Sequence, residues 1–189
     1  MSNKPFEKEA GAAWFWWNQL QPRDRGGRPV PGDRATLARL RRSSTVMEAA
    51  VEPATAELYR RLAFARPERD LPRAAMLAAV LAHVREETRE PLARAIGTPR
   101  AGEGSTALVS PLRLRRLIAA RDPDDLLTLF RRMVAILGNS ANVRDLARQL
   151  IAWTDARFSD ISRTQFAFAY HNAAQFAPEG DSGETEQDR

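Results

Sequence analysis

The chain has 189 residues, and its 29 lysines and arginines outnumber its 24 aspartates and glutamates, giving a net charge of +5 at neutral pH. This length suits one domain or two small ones. There is no cysteine, which excludes disulfides, thiolate catalysis and thiolate-bound metals. No apolar run approaches the roughly 20 residues of a membrane span, and the start lacks a signal-peptide layout. We therefore expect a cytoplasmic protein without membrane contact.

Apolar residues recur with a helical period almost throughout, which predicts an all-α fold, a compact bundle of about eight to nine helices. We expect the first helix from about Pro5 to Leu20, then a polar loop over 21–33. A second helix is predicted over 34–42, RATLARLRR, with Asp33 as its N-cap, and Glu52-Pro53 is expected to open a third.

Other helix starts are predicted where a capping side chain precedes a proline: Asp70 before Pro72, Ser110 before Pro111 and Asp122 before Pro123. Gly138 is expected to end the helix that contains FRRMVAIL, in the left-handed conformation of a C-terminal cap. Two last helices are predicted over about 142–158 and 160–176.

The predicted helices form a single domain over residues 1–177. The longest loop inside it, 97–109 (GTPRAGEGSTALV), is a candidate junction between two small helical subregions. Residues 178–189, PEGDSGETEQDR, contain five acids, one arginine and no apolar side chain, so we expect a disordered acidic tail.

Candidate catalytic groups are few. Neither His83 nor His171 has a second histidine at metal-binding spacing, and we expect His83 to be a hydrogen-bonded histidine inside an apolar helix. The pair Asp124 and Asp125 has the chemistry to hold magnesium for phosphodiester cleavage. Its place in the first turn of a helix is, however, typical of dipole stabilisation. We predict no catalytic residue, no metal and no cofactor.

The stretch WFWW, residues 14–17, lies in the first predicted helix. Trp14 and Trp17 are three apart and share a face with Ala10 and Ala13, which predicts core packing in preference to base stacking. Trp16 lies off that face, so we expect it in a subunit contact.

Arginine supplies nearly all of the positive charge, and its planar fork of donors suits phosphate. Within SPLRLRRLI, Leu114 and Leu117 are expected to face the core, Arg113 and Arg116 to point outward, and Arg115 to lie beside the apolar stripe in a more structural role.

Three further helices carry arginines outside their apolar stripes. Arg144 and Arg148 are four apart, with Asp145 turned roughly 100° away around the helix. The other arginines of this kind are Arg34, Arg39, Arg41, Arg42, Arg131 and Arg132. This pattern alone leaves nucleic-acid binding, a solvated surface and a contact with a partner protein open.

The order of motifs W-x-x-L, L-A-R-L-R-R, S-P-x-R-x-R-R-L-I, L-F-R-R-M-V-x-I-L and L-A-R-Q-L-I-x-W, over about residues 8 to 172, resembles CasB, the small subunit of the type I-E CRISPR surveillance complex Cascade. The resemblance implies an all-helical, non-enzymatic subunit that is present in two copies. It also implies contact with guide RNA, with target and non-target DNA and with other Cascade subunits. The acidic tail and the 21–33 loop depart from the family pattern.

The resemblance also implies nucleic-acid contacts at the arginines of these motifs, with Arg73 of D-L-P-R-A-A as a further position. Together with Arg144 from the helix pattern, the predicted nucleic-acid-binding residues are Arg41, Arg42, Arg73, Arg113, Arg116, Arg131, Arg132, Arg144 and Arg148. The expected function is to contact the nucleic-acid backbone and stabilise the R-loop with its displaced strand in antiviral defence. The alternatives are a helical adaptor whose basic face contacts a protein, and a metal-dependent nuclease.

Overall fold

A computed structural model describes residues 5–24, 26–62, 67–99 and 106–173. The ten helices found there are α1 (Glu7–Leu20), α2 (Arg34–Arg42), α3 (Val46–Ala50), α4 (Pro53–Leu62), α5 (Pro67–Leu81), α6 (Leu92–Gly97), α7 (Pro111–Ala119), α8 (Pro123–Ile136), α9 (Val143–Thr154) and α10 (Ser159–His171). This confirms the all-α fold. Sequence periodicity did not predict the short helices α3 and α6.

Four two-residue strands accompany the helices. β1 (Arg23–Asp24) pairs antiparallel with β2 (Pro29–Val30), which makes the 21–33 loop a small hairpin. β3 (Glu86–Glu87) pairs in parallel with β4 (Ser140–Ala141) and joins the end of α5 to the end of α8. No helix in the described ranges is long and apolar enough to cross a membrane.

The core is built around α5. Residues 74–81 of this helix are each at most 1% exposed, because α3, α4, α8 and α9 all pack against it. A helix that is apolar on all sides is stable only when it is surrounded in this way. The remaining helices therefore have their polar faces turned outward.

Helix α1 packs between α9 and α4, and it buries two tryptophans. Trp17 donates its indole N–H to the Val84 carbonyl at 3.1 Å, and Trp16 donates to the Ala54 carbonyl at 3.1 Å. The prediction that Trp16 lies in a subunit contact is wrong, since its side chain is 1% exposed. A single apolar stripe underestimates the buried face of a helix that packs on two sides.

The predicted helix starts are confirmed at three of four capped positions. Asp33, Ser110 and Asp122 each accept a hydrogen bond from the first turn of α2, α7 and α8. The start at Asp70 is wrong, because α5 begins at Pro67 and includes Pro72. Gly138 has a φ of 70° after α8, as expected of a left-handed cap.

Helix α10 holds both ends of α7. The Tyr170 hydroxyl donates to the Val109 carbonyl just before α7 begins. At the other end, the Arg163 guanidinium donates to the Ile118 carbonyl at 2.7 Å and stacks over the Trp153 ring at 4.4 Å. Burial lowers the pKa of Arg163 to about 10. Both of these hydrogen bonds come from α10, so this helix holds α7 at its two ends.

The loop over 97–109 is described at its two ends. Pro99 and Ala107 form an antiparallel bridge, so the chain returns close to the point where it left. A side chain at Gly97 would overlap the Tyr170 carbonyl, which explains a glycine where α6 meets α10. The middle of this loop, 100–105, and the predicted acidic tail, 178–189, lie outside the described residues.

Candidate nucleic-acid interface

Helix α7 carries three arginines, and the sequence predicts that two of them, Arg113 and Arg116, are exposed to solvent. Leu114 and Leu117 are 3% and 0% exposed and fix the inner face of the helix. Arg113 and Arg116 are therefore exposed. Arg115 is exposed as well, and this exposure does not support the more structural role predicted for it.

Helix α8 packs beside α7 and adds a third arginine, Arg132, which is exposed. Arg113, Arg116 and Arg132 together line a depression of about 430 Å³ between the two helices, which we call the α7–α8 depression. Apolar side chains complete its lining: Leu129, Met133, Ala135 and Ile136. No carboxylate is among these lining residues.

The three guanidiniums of the α7–α8 depression make no side-chain hydrogen bond or ion pair with any residue the structure describes. They therefore keep their donors available, and their like charges repel in the absence of an anion. Such a site suits a ligand that offers several phosphates or carboxylates. Arg42, at the end of α2, is exposed and equally without a side-chain partner among the described residues.

Arg131, next to Arg132 in sequence, has a different environment. Its Nη1 donates to the Ser43 carbonyl at 2.6 Å and its Nη2 to the Leu40 carbonyl at 2.9 Å. Its Nε also donates to the Ala79 carbonyl at 3.3 Å, and burial lowers its pKa. Arg131 thus ties α8 to the end of α2 and to α5.

Arg41 is half-buried and donates from Nε to the Ala82 carbonyl at 2.6 Å. Its pKa is lowered by burial and then by the nearby charge of Arg85. Beside them, burial and the positive charges of Arg131 and Arg41 lower the pKa of His83 to about 4. His83 follows α5 and does not lie within a helix, and its buried Nε2 has no hydrogen-bond partner in the described ranges, so the predicted environment is wrong.

Arg73 lies inside the protein, 8% exposed, and both of its Nη nitrogens are engaged. Its Nη1 pairs with Asp70 at 3.0 Å and with Asp155 at 3.7 Å, and its Nη2 donates to the Thr154 carbonyl at 2.6 Å. Asp70 therefore neutralises a buried arginine instead of capping a helix. We leave Arg73 out of the interface because a phosphate has no access to it.

Arg148 is paired with Asp145 one helical turn away, and the second oxygen of Asp145 accepts from the Leu92 N–H at 2.9 Å. The expectation that Asp145 turns away from Arg148 is wrong, since residues three apart lie side by side on a helix.

Arg144 is exposed and stacks over the Trp14 ring at 4.9 Å. The Trp14 indole donates to Glu87 at 2.7 Å.

The structure thus brings together three of the nine predicted arginines, Arg113, Arg116 and Arg132, at one depression. Sequence reasoning missed the apolar residues between them. Their spacing could have predicted this lining, because Leu129, Met133 and Ile136 lie four and three residues apart along α8 and share a helix face with Arg132.

The carboxylate of Asp124 accepts a hydrogen bond from the Val46 N–H at 2.6 Å, so it is engaged in holding α3.

These features define an all-helical protein whose exposed arginines gather around a depression between two helices. A sequence model of the family "CRISPR-associated protein Cse2" matches residues 36–171, which is most of the chain. The chain therefore belongs to the Cse2 family, to which CasB belongs, and is a subunit of the type I-E CRISPR complex Cascade. No curated protein and no solved structure matches it. All nine predicted arginines lie within the matched range.

Proposed function

We propose that this Cascade subunit is not an enzyme and contacts nucleic-acid phosphates through the α7–α8 depression, thereby stabilising the R-loop with its displaced strand. The observation that carries the proposal is a set of three guanidiniums that have, among the described residues, no side-chain partner and no carboxylate beside them in the lining. Arginine recognises phosphate through its planar fork, independently of base sequence. A subunit that must accept any guide sequence needs contacts of this kind.

These contacts need to contribute only a small free energy to R-loop formation. R-loop formation exchanges a DNA duplex for a heteroduplex of similar stability, so a few backbone contacts tip the balance. The exposed Arg42 is proposed as an additional contact, and Arg41 and Arg144 as further positive charge outside the depression. Arg73, Arg131 and Arg148 serve the fold through the bonds described above.

The test compares two triple variants of the full chain for binding to single-stranded DNA at several salt concentrations. Arg113→Ala/Arg116→Ala/Arg132→Ala removes the charges of the α7–α8 depression. Its matched control, Arg34→Ala/Arg60→Ala/Arg69→Ala, removes three exposed arginines that do not line it. We expect the first variant to lower the salt slope by about 0.7 for each phosphate that is no longer bound, and the control to leave the slope nearly unchanged.

Equal salt slopes for the two triple variants would refute the site. The same pair is then assembled into Cascade, where we expect only the first variant to reduce the stability of the R-loop.

An adaptor function, with the basic face buried against another protein, is favoured by the apolar lining of the depression, Leu129, Met133 and Ile136. Crosslinking from Arg113 and Arg116 within assembled Cascade separates the two. Crosslinks to nucleic acid support the proposed contact, and crosslinks to protein alone support the adaptor.

A nuclease function has little support. Members of the family are structural subunits of the complex. Among the described residues, no group of three or more histidine or carboxylate side chains is placed to hold a metal ion. Cleavage of DNA with magnesium that is lost in Asp124→Asn would overturn this part of the proposal.

A further inference from the structure

The end of α10 lies next to the start of α7. Tyr170, in the last turn of α10, bonds to Val109, and α7 begins two residues later at Pro111. Ala173, the last described residue, is 4% exposed and packs near Gly97 at the end of α6. The chain that follows Ala173 therefore starts beside the first turn of α7.

The surface next to this point is positively charged. Arg113 is three residues beyond Ser110, about 4.5 Å along the helix axis, and Arg116 is one turn further. Both arginines also line a second depression of about 540 Å³, together with Leu112 of α7 and with Thr106 and Leu108 of the segment that leads into this helix. Among the described residues, no carboxylate lines the second depression or the α7–α8 depression, so the described surface between Ala173 and the α7–α8 depression is free of negative charge in both linings.

The chain beyond Ala173 ends in a strongly acidic segment. Residues 178–189 carry five carboxylates, at Glu179, Asp181, Glu184, Glu186 and Asp188, and no apolar side chain. Glu179 is six residues beyond Ala173, which is a reach of up to about 20 Å. Each following acid extends that reach, so several carboxylates can meet Arg113, Arg116 and Arg132 together.

We propose that the acidic segment 178–189 docks on the α7–α8 depression and competes there with nucleic acid. The competition rests on the function proposed above, whereas the docking does not. Single exposed ion pairs are weak, but a tethered segment meets its site at an effective concentration on the order of millimolar. The docked segment excludes isolated phosphates and short strands, while a long strand that makes several contacts displaces it.

The regulatory consequence is selectivity for the assembled R-loop. Unassembled subunit with a free arginine surface would bind cellular nucleic acids through charge alone. When the acidic segment is docked, a nucleic-acid strand occupies the α7–α8 depression only if other Cascade subunits already hold that strand nearby. The segment thus raises the threshold for binding without adding any base specificity.

Docking is measured first, without nucleic acid, from the backbone amide signals of Gly180 and Gly183 in the NMR spectrum of the full chain. We expect these signals to differ between the wild type and Arg113→Ala/Arg116→Ala/Arg132→Ala, and to match the wild type in Arg34→Ala/Arg60→Ala/Arg69→Ala. Raising salt from about 50 to about 500 mM should move the wild-type signals toward those of the first variant. Identical signals in all three proteins would overturn the docking.

Competition is measured with a full-length chain in which the five acids become amides: Glu179→Gln, Asp181→Asn, Glu184→Gln, Glu186→Gln and Asp188→Asn. We expect its affinity for a short single-stranded DNA to rise about threefold to tenfold at moderate salt, the size given by two or three exposed ion pairs. In a chain that also carries Arg113→Ala/Arg116→Ala/Arg132→Ala, neutralising the five acids should change the affinity for the DNA only slightly.

An equal gain in both backgrounds would show that the acids act only through net charge, which contradicts competition at this site. The two experiments distinguish a failure of the proposed docking from a failure of the proposed nucleic-acid function. If the arginine triple variant keeps its DNA affinity while the glycine signals shift, the docking stands and the nucleic-acid function falls. If DNA affinity drops and the signals do not shift, the function stands and the docking falls.

Discussion

Arg131 and Arg132 are neighbours on α8 with opposite roles. Arg131 points toward α2 and α5 and donates to three backbone carbonyls, whereas Arg132 is exposed at the α7–α8 depression. Residues one apart on a helix do not face the same way. Of these two adjacent arginines, Arg131 therefore stabilises the fold and Arg132 is a candidate contact for nucleic acid.

We predict that Arg131→Ala lowers the free energy of unfolding by about 2–3 kcal/mol, because it leaves the carbonyls of Leu40, Ser43 and Ala79 without this donor. Arg132→Ala should change it by less than about 0.5 kcal/mol and weaken DNA binding instead. Urea unfolding of both variants measures the difference. Similar losses of stability would contradict the assignment of Arg132 to the surface.

His83 makes stability depend on pH. Its pKa is 6.5 in an unperturbed chain and about 4 here, lowered by burial and by Arg131 and Arg41. As pH falls below 6.5, the unfolded chain takes up a proton that the folded chain excludes. The stabilisation is complete above pH 6.5 and is lost progressively toward pH 4.

We predict that lowering the pH from about 7 to about 5 costs roughly 1–2 kcal/mol of unfolding free energy, after allowance for solvent screening. His83→Gln should remove most of this dependence, and His171→Gln, at an exposed position, should leave it intact. Asp155, with a pKa lowered to about 2 by Arg157, acts below this range. An unchanged pH profile in His83→Gln would rule out His83 as its source.

Helical spacing predicted that Arg113 and Arg116 of α7 reach solvent, because Leu114 and Leu117 mark the inner face of that helix, and it also predicted the exposure of Arg132. It did not predict the role of Arg131, whose acceptor in Ala79 is 52 residues away in sequence. The partner of a buried guanidinium is set by how helices pack, which a single helix pattern does not contain.

At the level of helices, local capping signals predicted the starts of α2, α7 and α8, because a cap bonds within its own first turn. The same signal misplaced the start of α5. Asp70 is already inside that helix and bonds to Arg73, and Pro72 lies within the helix as well. A capping residue and a buried ion-pair partner have the same sequence signature.

The position of α7 depends on α10, so we predict an effect of Tyr170→Phe at a distance from the arginines. Removing the hydroxyl leaves the Val109 carbonyl without its donor and should lower the free energy of unfolding by about 1 kcal/mol. Amide exchange in α7 should accelerate more than in α5. Gln165→Ala, at an exposed position on α10, is the control; equal acceleration in both variants would show that α10 does not hold α7 through this bond.

For the whole molecule, we propose that residues 1–177 form one domain. Helix α5 packs against helices from both halves of the chain, including α3, α4, α8 and α9, so neither half has a separate core. The 97–109 loop then joins parts of one structure and not two subregions.

One domain predicts one cooperative unfolding transition. Tryptophan fluorescence reports α1 and α9 through Trp16, Trp17 and Trp153, while far-ultraviolet circular dichroism reports all helices. The two signals should give the same urea midpoint. Two separated midpoints would show that the halves unfold independently.

The division between buried and exposed arginines has a chemical consequence. Lysine occurs only at Lys4 and Lys8, so amine-directed reagents leave nearly all of this subunit unmarked. Dicarbonyl reagents, which modify accessible guanidiniums, should label Arg113, Arg116 and Arg132 and spare Arg73, which is 8% exposed. Mass mapping of those labels in free and assembled Cascade would display, residue by residue, which arginines become covered when the complex engages its target.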